Sequence, residues 1–204
     1  MLLKRDRAAP AVWEADEKNG FRTLQSLLWD SDLLVVWRAI EAIGELAAAR
    51  ESGGLDEVRE VIRRLLWCMN DESGNLCWFA AEAIAEILTR VPSLRDEFLV
   101  VWLGFLDEEP FEAGVRWGIA RLIRAGRLSD DELQTLLDRR FAIVASLDNV
   151  NASVRATALF ALTALGEPVP TDMRTTLAND ATSVNIYDID SGELRFVEVR
   201  SLLP

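Results

Sequence analysis

The chain has 204 residues, half of them apolar, and a formal net charge of −12. The apolar content excludes an acidic disordered chain, and the negative charge argues against a general nucleic-acid binder, which must neutralise phosphates. Because the sequence contains no His, Ser-His-Asp and Cys-His catalysis and most catalytic zinc sites are excluded as well.

Nothing in the sequence predicts export or membrane insertion. The basic N-terminal segment MLLKRDRAAP is not followed by the apolar core of a signal peptide, and no window approaches 18 uninterrupted apolar residues. Cys68 and Cys77 are too few for a disulfide framework or an all-cysteine zinc site. We therefore expect a cytoplasmic protein with no membrane span and with two buried free cysteines.

The first predicted element is a helix over 9–19, within an N-terminal capping segment 1–20. Pro10 suits the first turn of such a helix, where its missing N–H leaves no hydrogen bond unmade. The side chains of Val12 and Trp13 would then cover the open apolar face of the first repeat.

Repeats of about 40 residues follow over 21–168. Four segments begin at spacings of 41, 39 and 39 residues, and each places small or apolar residues at i, i+3, i+4 and i+7, which is one face of a helix. The segments are WRAIEAIGEL (37–46), WFAAEAIAEI (78–87), WGIARLIRAG (117–126) and ATALFALTAL (156–165).

Each repeat is predicted to contain two helices, A and B, joined by a turn with an Asp. Helix A covers 21–29, 55–69, 94–106 and 130–147, and helix B covers 33–50, 75–91, 112–126 and 152–166. The turn residues, which we expect to cap helix B by accepting a backbone N–H, are Asp30, Asp71, Asp107 and Asp148. This period is typical of a HEAT or armadillo-like solenoid, an all-α fold in which about four helix pairs form a right-handed α-α superhelix.

The last repeat contains a characteristic set of residues: Asp148, Val154-Arg155-Ala156, Ala158, Ala161-Leu162 and Leu165-Gly166. It resembles the PBS-lyase HEAT-like repeats of bacteria, and residues 37–44 are similar. The segment around Asn70-Asp71 and Trp78 also resembles HEAT-repeat proteins of uncharacterised function from anaerobic bacteria. The resemblance implies a solenoid over about 20–167 and an Asp–Arg ladder, with Arg116 and Arg155 following Asp107 and Asp148. It assigns no chromophore-attachment residue.

Residues 169–204 follow a different pattern. Thr171 to Ala178 reads as a short helix, and two alternating runs, 183–189 and 194–200, flank a turn with Gly192 in the left-handed position. They predict a β-hairpin. In each strand the apolar/polar alternation shifts once by one residue, which a β-bulge would explain. Because a lone hairpin is marginal in water, it packs on the last repeat, which we favour, or pairs with a partner strand. The protein is then a monomer or a hairpin-mediated homodimer.

The seven Trp residues allow two interpretations. Aromatic residues at helical spacing most often belong to the core, because each buries a large area. The alternative is that Trp37, Trp78 and Trp117, which share one repeat position, line a groove.

Charged residues also recur on helix B. Two Glu pairs lie four residues apart and share a helix face, Glu41 with Glu45 and Glu82 with Glu86. They predict a solvated acidic face, or one that meets a basic partner, while a carboxylate site for Mg, Ca or Mn is the sharper alternative. In the third repeat Arg121 and Arg124 occupy this face. The charge therefore changes sign along the row, which suits protein recognition.

We therefore predict a non-catalytic protein-binding scaffold or adaptor that requires no cofactor or metal and binds neither nucleic acid nor membrane. The helix B row is the predicted contact surface, with Arg38, Glu41, Glu45, Trp78, Glu82, Glu86, Trp117, Arg121 and Arg124 as candidate contacts. The alternatives are an enzyme or enzyme subunit of the chromophore-lyase-like type, suggested by the family name, and a carboxylate metal-binding protein.

Overall fold

The computed structural model describes residues 19–70 and 76–204, and the chain divides into two compact units with the boundary after Trp102. The helices that begin before this boundary are α1 (Gly20–Ser26), α2 (Leu33–Arg50), α3 (Leu55–Met69), α4 (Ala80–Arg90) and α5 (Arg95–Leu103). The second unit contains α6 (Glu112–Arg124), α7 (Asp130–Leu137), α8 (Arg140–Ala145), α9 (Ala152–Leu165), α10 (Thr171–Ala178), β1 (Ser183–Asp188) and β2 (Glu193–Glu198). The fold is therefore mostly helical, with one small antiparallel sheet.

Two predictions lie outside the described residues: the capping helix over 9–19, with Val12 and Trp13, and the cap at Asp71.

The predicted bounds of helix B agree well with α2, α6 and α9, whereas α4 begins later, at Ala80. The single helix predicted over 130–147 is wrong, because the chain forms α7, α8 and a 3-10 turn there. At the break the Arg139 N–H bonds the Leu136 carbonyl three residues back, at 3.1 Å, which interrupts the α-helical hydrogen-bond ladder.

The central helix of the first unit is α2. It packs along α4 and also contacts α1 and α3, so every residue from Val36 to Gly44 is buried. A helix surrounded in this way has no wide polar face, and its few polar side chains must find partners inside the protein.

The N-terminal caps of α2 and α9 share one hydrogen-bond pattern. The side chain of Asp30 accepts the Asp32 N–H at 2.8 Å, and the side chain of Asp32 accepts the N–H two residues further on at 2.9 Å. Before α9, Asn149 and Asn151 form the same pair of bonds at 2.8 and 2.9 Å. The caps predicted at Asp30 and Asp148 are therefore wrong. A 3-10 turn ends the preceding helix first, so the capping side chain falls two or three residues later.

A buried arginine, Arg116 on α6, holds the helices of the second unit together. Its guanidinium donates to the Leu106 carbonyl, to the Glu112 carbonyl at 3.0 Å and to the Ser146 hydroxyl at 2.8 Å. It also contacts the Asp107 carboxylate at 3.1 Å. The pairing of Asp107 with Arg116 that the family resemblance implies is thus confirmed, whereas Asp107 as the cap of α6 is wrong.

The second implied pair is wrong. The guanidinium of Arg155 on α9 lies 2.7 Å from the Asp180 carboxylate instead of pairing with Asp148. It also donates to the carbonyls of Asn149 and Val150, at 2.7 and 3.1 Å. Asp180 follows α10, so Arg155 joins α9 to the start of the hairpin segment.

The hairpin has an unbroken register, from Ser183 opposite Glu198 to Asp188 opposite Glu193, so it contains no bulge. Gly192 has a φ of 70°, which confirms the predicted left-handed turn position. Strand β1 and the 3-10 helix Val199–Leu202 both pack on α9. The hairpin therefore contributes to the fold of its own unit, and pairing with a second chain stays a prediction.

Candidate functional site

The structure buries five of the nine predicted contact residues: Arg38, Glu41, Glu82, Glu86 and Trp117. Glu45 and Arg121 are half-buried, while Trp78 and Arg124 are exposed. Only 8% of Glu82 and 7% of Trp117 is exposed, so these two side chains offer little surface to a partner. Whether the accessible residues bind a partner stays a prediction.

The Trp residues divide evenly in the part of the chain that the structure describes. Trp37 packs edge-on against Phe79, and the indole N–H of buried Trp102 donates to the Ala81 carbonyl at 3.0 Å. The core assignment is confirmed for Trp37, Trp102 and Trp117, and it is wrong for Trp29, Trp67 and Trp78, which are exposed.

The predicted acidic face is also wrong, because arginines neutralise it. Arg38 donates to Glu41 at 2.9 Å, within α2. Arg90, at the end of α4, donates to the fully buried Glu86 at 2.5 Å and lies 3.7 Å from the carboxylate of Glu45. Arg90 thereby connects α2 to α4, and none of these three carboxylates presents an unpaired negative charge to solvent.

Glu82 differs from these three carboxylates. Burial raises its pKa to about 8, so the side chain is largely protonated at neutral pH. Burial likewise raises the pKa of the nearby Cys77 thiol to about 12. Within residues 19–70 and 76–204, no group of three or more His, Cys, Asp or Glu side chains is placed to hold a metal ion.

The second unit contains a cavity of about 530 Å³ between helices α6 and α9 and the hairpin. Its floor is made of buried Trp117, Ala120 and Tyr187, and its walls are half-buried apolar side chains. The wall residues are Phe160, Ile186, Ile189, Val197 and Leu202. A volume in the range of about 300–1,000 Å³ is typical of sites for small molecules or for one or two peptide side chains.

Charged side chains stand at the mouth of this cavity. The guanidinium of Arg124 lies 5.8 Å from the centre of the Phe160 ring, a cation–π contact. Arg195 on β2 lies 2.9 Å from the Asp188 carboxylate on β1. Burial alone would raise the pKa of Asp188, but hydrogen bonds from the N–H groups of Ser191 and Asp190 outweigh it and lower that pKa overall.

Only three of the cavity residues, Trp117, Arg121 and Arg124, were among the predicted contacts. Phe160 and the hairpin side of the cavity, including Arg195, were not predicted from the sequence. Arg121 and Arg124 are three residues apart on α6, and this helical spacing indicated the part of the cavity that α6 lines. The alternation of apolar and polar residues in the hairpin strands predicts which face of the hairpin is buried. It does not predict which helices pack against that face.

The structure defines the protein as mostly helical with a small antiparallel sheet, and none of its described helices is long and apolar enough to span a membrane. No family model and no solved structure matches the chain. An uncharacterized protein of Archaeoglobus fulgidus is 31% identical over 166 residues, which is 81% of this chain and 84% of that protein. The chain therefore belongs to the same family as this archaeal protein.

Proposed function

We propose that the protein is a non-catalytic cytoplasmic scaffold or adaptor that binds another protein through a HEAT-like α-solenoid. In this proposal the helix pairs form a right-handed α-α superhelix of the type seen in PBS-lyase HEAT-like repeats. Two recurrences support it. Consecutive B helices pack together, α2 with α4 and α6 with α9, and the cap pattern before α2 returns before α9.

The observation that carries the binding function is the exposure of large aromatic side chains. Trp67 is 68% exposed and Trp78 67% in the first unit, and Phe141 is 71% and Phe196 73% exposed in the second. Residues of this size contribute most of the energy when they become buried at an interface, and Trp is enriched at binding hot spots. Trp67 lies on α3 and Phe141 on α8, whereas Trp78 lies just before α4 and Phe196 on β2. Exposed aromatic side chains of this kind suit recognition of another protein.

Affinity capture from the native host, followed by mass spectrometry, tests the proposal when it is run with matched variants. We expect the wild-type protein to retain a partner that Trp67→Ser/Trp78→Ser or Phe141→Ser/Phe196→Ser loses. Arg22→Ser serves as the control, because Arg22 is exposed and its replacement changes no aromatic surface. Circular dichroism of each variant establishes that the fold is intact.

The captured partner is then purified and recombined with the protein. A stable complex with defined stoichiometry that at least one aromatic double variant weakens tenfold or more supports the proposal. Equal recovery of every captured protein by wild type and both aromatic variants would contradict it.

A further inference from the structure

We propose that the cavity between α6, α9 and the hairpin binds a ligand that has an apolar body and one anionic group, with Arg124 as the partner of the anion. This inference goes beyond the proposed function, because it assigns a ligand cavity inside one unit and the chemical class of the ligand. The shared ligand chemistry is that of an apolar carboxylate, whether a free organic acid or an acidic peptide segment.

The cavity changes character from floor to mouth. Trp117, Ala120 and Tyr187 are buried at the floor, whereas Arg124 and Arg195 are exposed at the mouth. A ligand that enters would place its apolar part against aromatic rings and keep its polar end near the arginines. The hydrophobic effect favours this orientation, and the arginines determine which charge is accepted.

Arg124 is the arginine positioned to receive the anion. Its guanidinium lies over the ring of Phe160, which itself lines the cavity wall, so the charge is held at the rim. No carboxylate within the described part of the chain lies at salt-bridge distance from Arg124. Arg195, in contrast, is already paired with Asp188.

The charges that line the cavity favour an anion over a cation. Three arginines line it, namely Arg121, Arg124 and Arg195, against two carboxylates, Asp188 and Asp190. This local excess of positive charge occurs in a chain whose net charge is −12. Asp188 cannot attract a cationic ligand strongly, because its oxygens already accept two backbone N–H groups and the Arg195 guanidinium.

Two fluorescent dyes with nearly the same apolar body test the proposal: 8-anilino-1-naphthalenesulfonate, which is anionic, and N-phenyl-1-naphthylamine, which is neutral. We expect one anionic dye per folded chain, with roughly tenfold weaker binding to Arg124→Gln, since a hydrogen bond to a charged group is lost. The neutral dye should bind wild type and Arg124→Gln equally. Arg22→Gln, an exposed arginine outside the cavity, should bind both dyes like wild type.

A second variant and a spectroscopic readout locate the bound dye. Val197→Trp fills the cavity from the hairpin side and should abolish binding of both dyes, and the indole N–H resonance of Trp117 should shift when dye binds to the wild-type protein. Equal loss of both dyes in Arg124→Gln, unchanged binding of the anionic dye to it, or an unmoved Trp117 resonance would each overturn the proposal.

Displacement of the anionic dye then distinguishes the two sources of the ligand. Displacement by indole-3-propionate alone identifies a free organic acid. Displacement by acetyl-Glu-Trp-amide as well identifies a site that also accepts an acidic peptide segment, and either result supports the proposal. If neither compound displaces the dye, the cavity does not recognise an apolar carboxylate and the proposal is wrong.

Discussion

Gly44 on α2 faces the side chain of Glu86 on α4 so closely that a Cβ added at position 44 would lie 2.6 Å from the Glu86 Cγ. Real Cβ atoms do not approach other atoms to this distance, so a larger residue would push the two helices apart or displace Glu86. The close approach explains how a fully buried carboxylate can lie between two packed helices and still reach Arg90.

We therefore expect Gly44→Ala to destabilise the protein by about 1–3 kcal/mol, the range usual for overpacking, despite the better helix propensity of Ala. Chemical denaturation of the purified variant measures the effect. Gly53→Ala is the matched control, because a Cβ there would meet no atom within 4 Å and should leave the stability nearly unchanged. Equal stabilities for the two variants would show that α2 and α4 are not tightly packed at Gly44.

The buried Glu82 should make stability depend on pH. Its pKa is about 8 in the folded protein and near 4.5 without burial, so the folded state holds more protons between these values. The free energy of unfolding contributed by Glu82 should therefore be largest below pH 4.5 and fall as pH rises to about 8.

The test compares Glu82→Gln with the wild-type protein by denaturation at several pH values. The neutral amide cannot ionise, so the variant should be similar to wild type near pH 5 and more stable on the order of a few kcal/mol near pH 8. Glu60→Gln, at an exposed position, should follow the wild-type curve. Parallel curves for Glu82→Gln and wild type would mean that Glu82 is ionised in the folded protein.

The stability that Arg116 contributes should come more from its hydrogen bonds to buried groups than from its ion pair with Asp107. The side chain of Arg116 is 2% exposed, whereas the side chain of Asp107 is 70% exposed and its charge is well solvated. Arg116→Met would leave the buried Ser146 hydroxyl and the Leu106 carbonyl without this donor, and each acceptor left unpaired should cost about 1–3 kcal/mol. Asp107→Asn should cost no more than about 1 kcal/mol. Thermal unfolding of both variants measures the difference, and a larger loss for Asp107→Asn would show that the exposed ion pair dominates.

The helix bounds could be predicted from sequence where local signals suffice. The prediction of 33–50 agrees with α2, and the predicted turn glycine, Gly192, has the expected positive φ. Apolar periodicity and turn chemistry are properties of a few neighbouring residues. The break between α7 and α8 was missed because its turn residues, Asp138 and Arg139, are neither Gly nor Pro.

The candidate site could not be predicted in the same way. Glu41 and Glu86 look like surface residues in sequence, because helical periodicity does not show how many neighbours surround a helix. Their burial depends on α2 and α4 packing closely at Gly44, and their neutralisation depends on Arg38 and Arg90. The cavity likewise depends on a hairpin folding back on helices that precede it by tens of residues.

The Cys77 thiol should react very slowly with thiol reagents in the folded protein. Burial raises the pKa of its thiol from 9.0 to about 12, which lowers the fraction of reactive thiolate roughly a thousandfold near neutral pH. The variant Cys68→Ser isolates Cys77, so that labelling with 5,5′-dithiobis(2-nitrobenzoate) reports on this thiol alone. We expect the labelling rate to rise with denaturant along the unfolding curve, and the fully unfolded variant to react at the rate of an unperturbed thiol. Rapid labelling in native buffer, with the far-UV circular dichroism unchanged, would mean that the segment around Cys77 opens locally without unfolding of the helices.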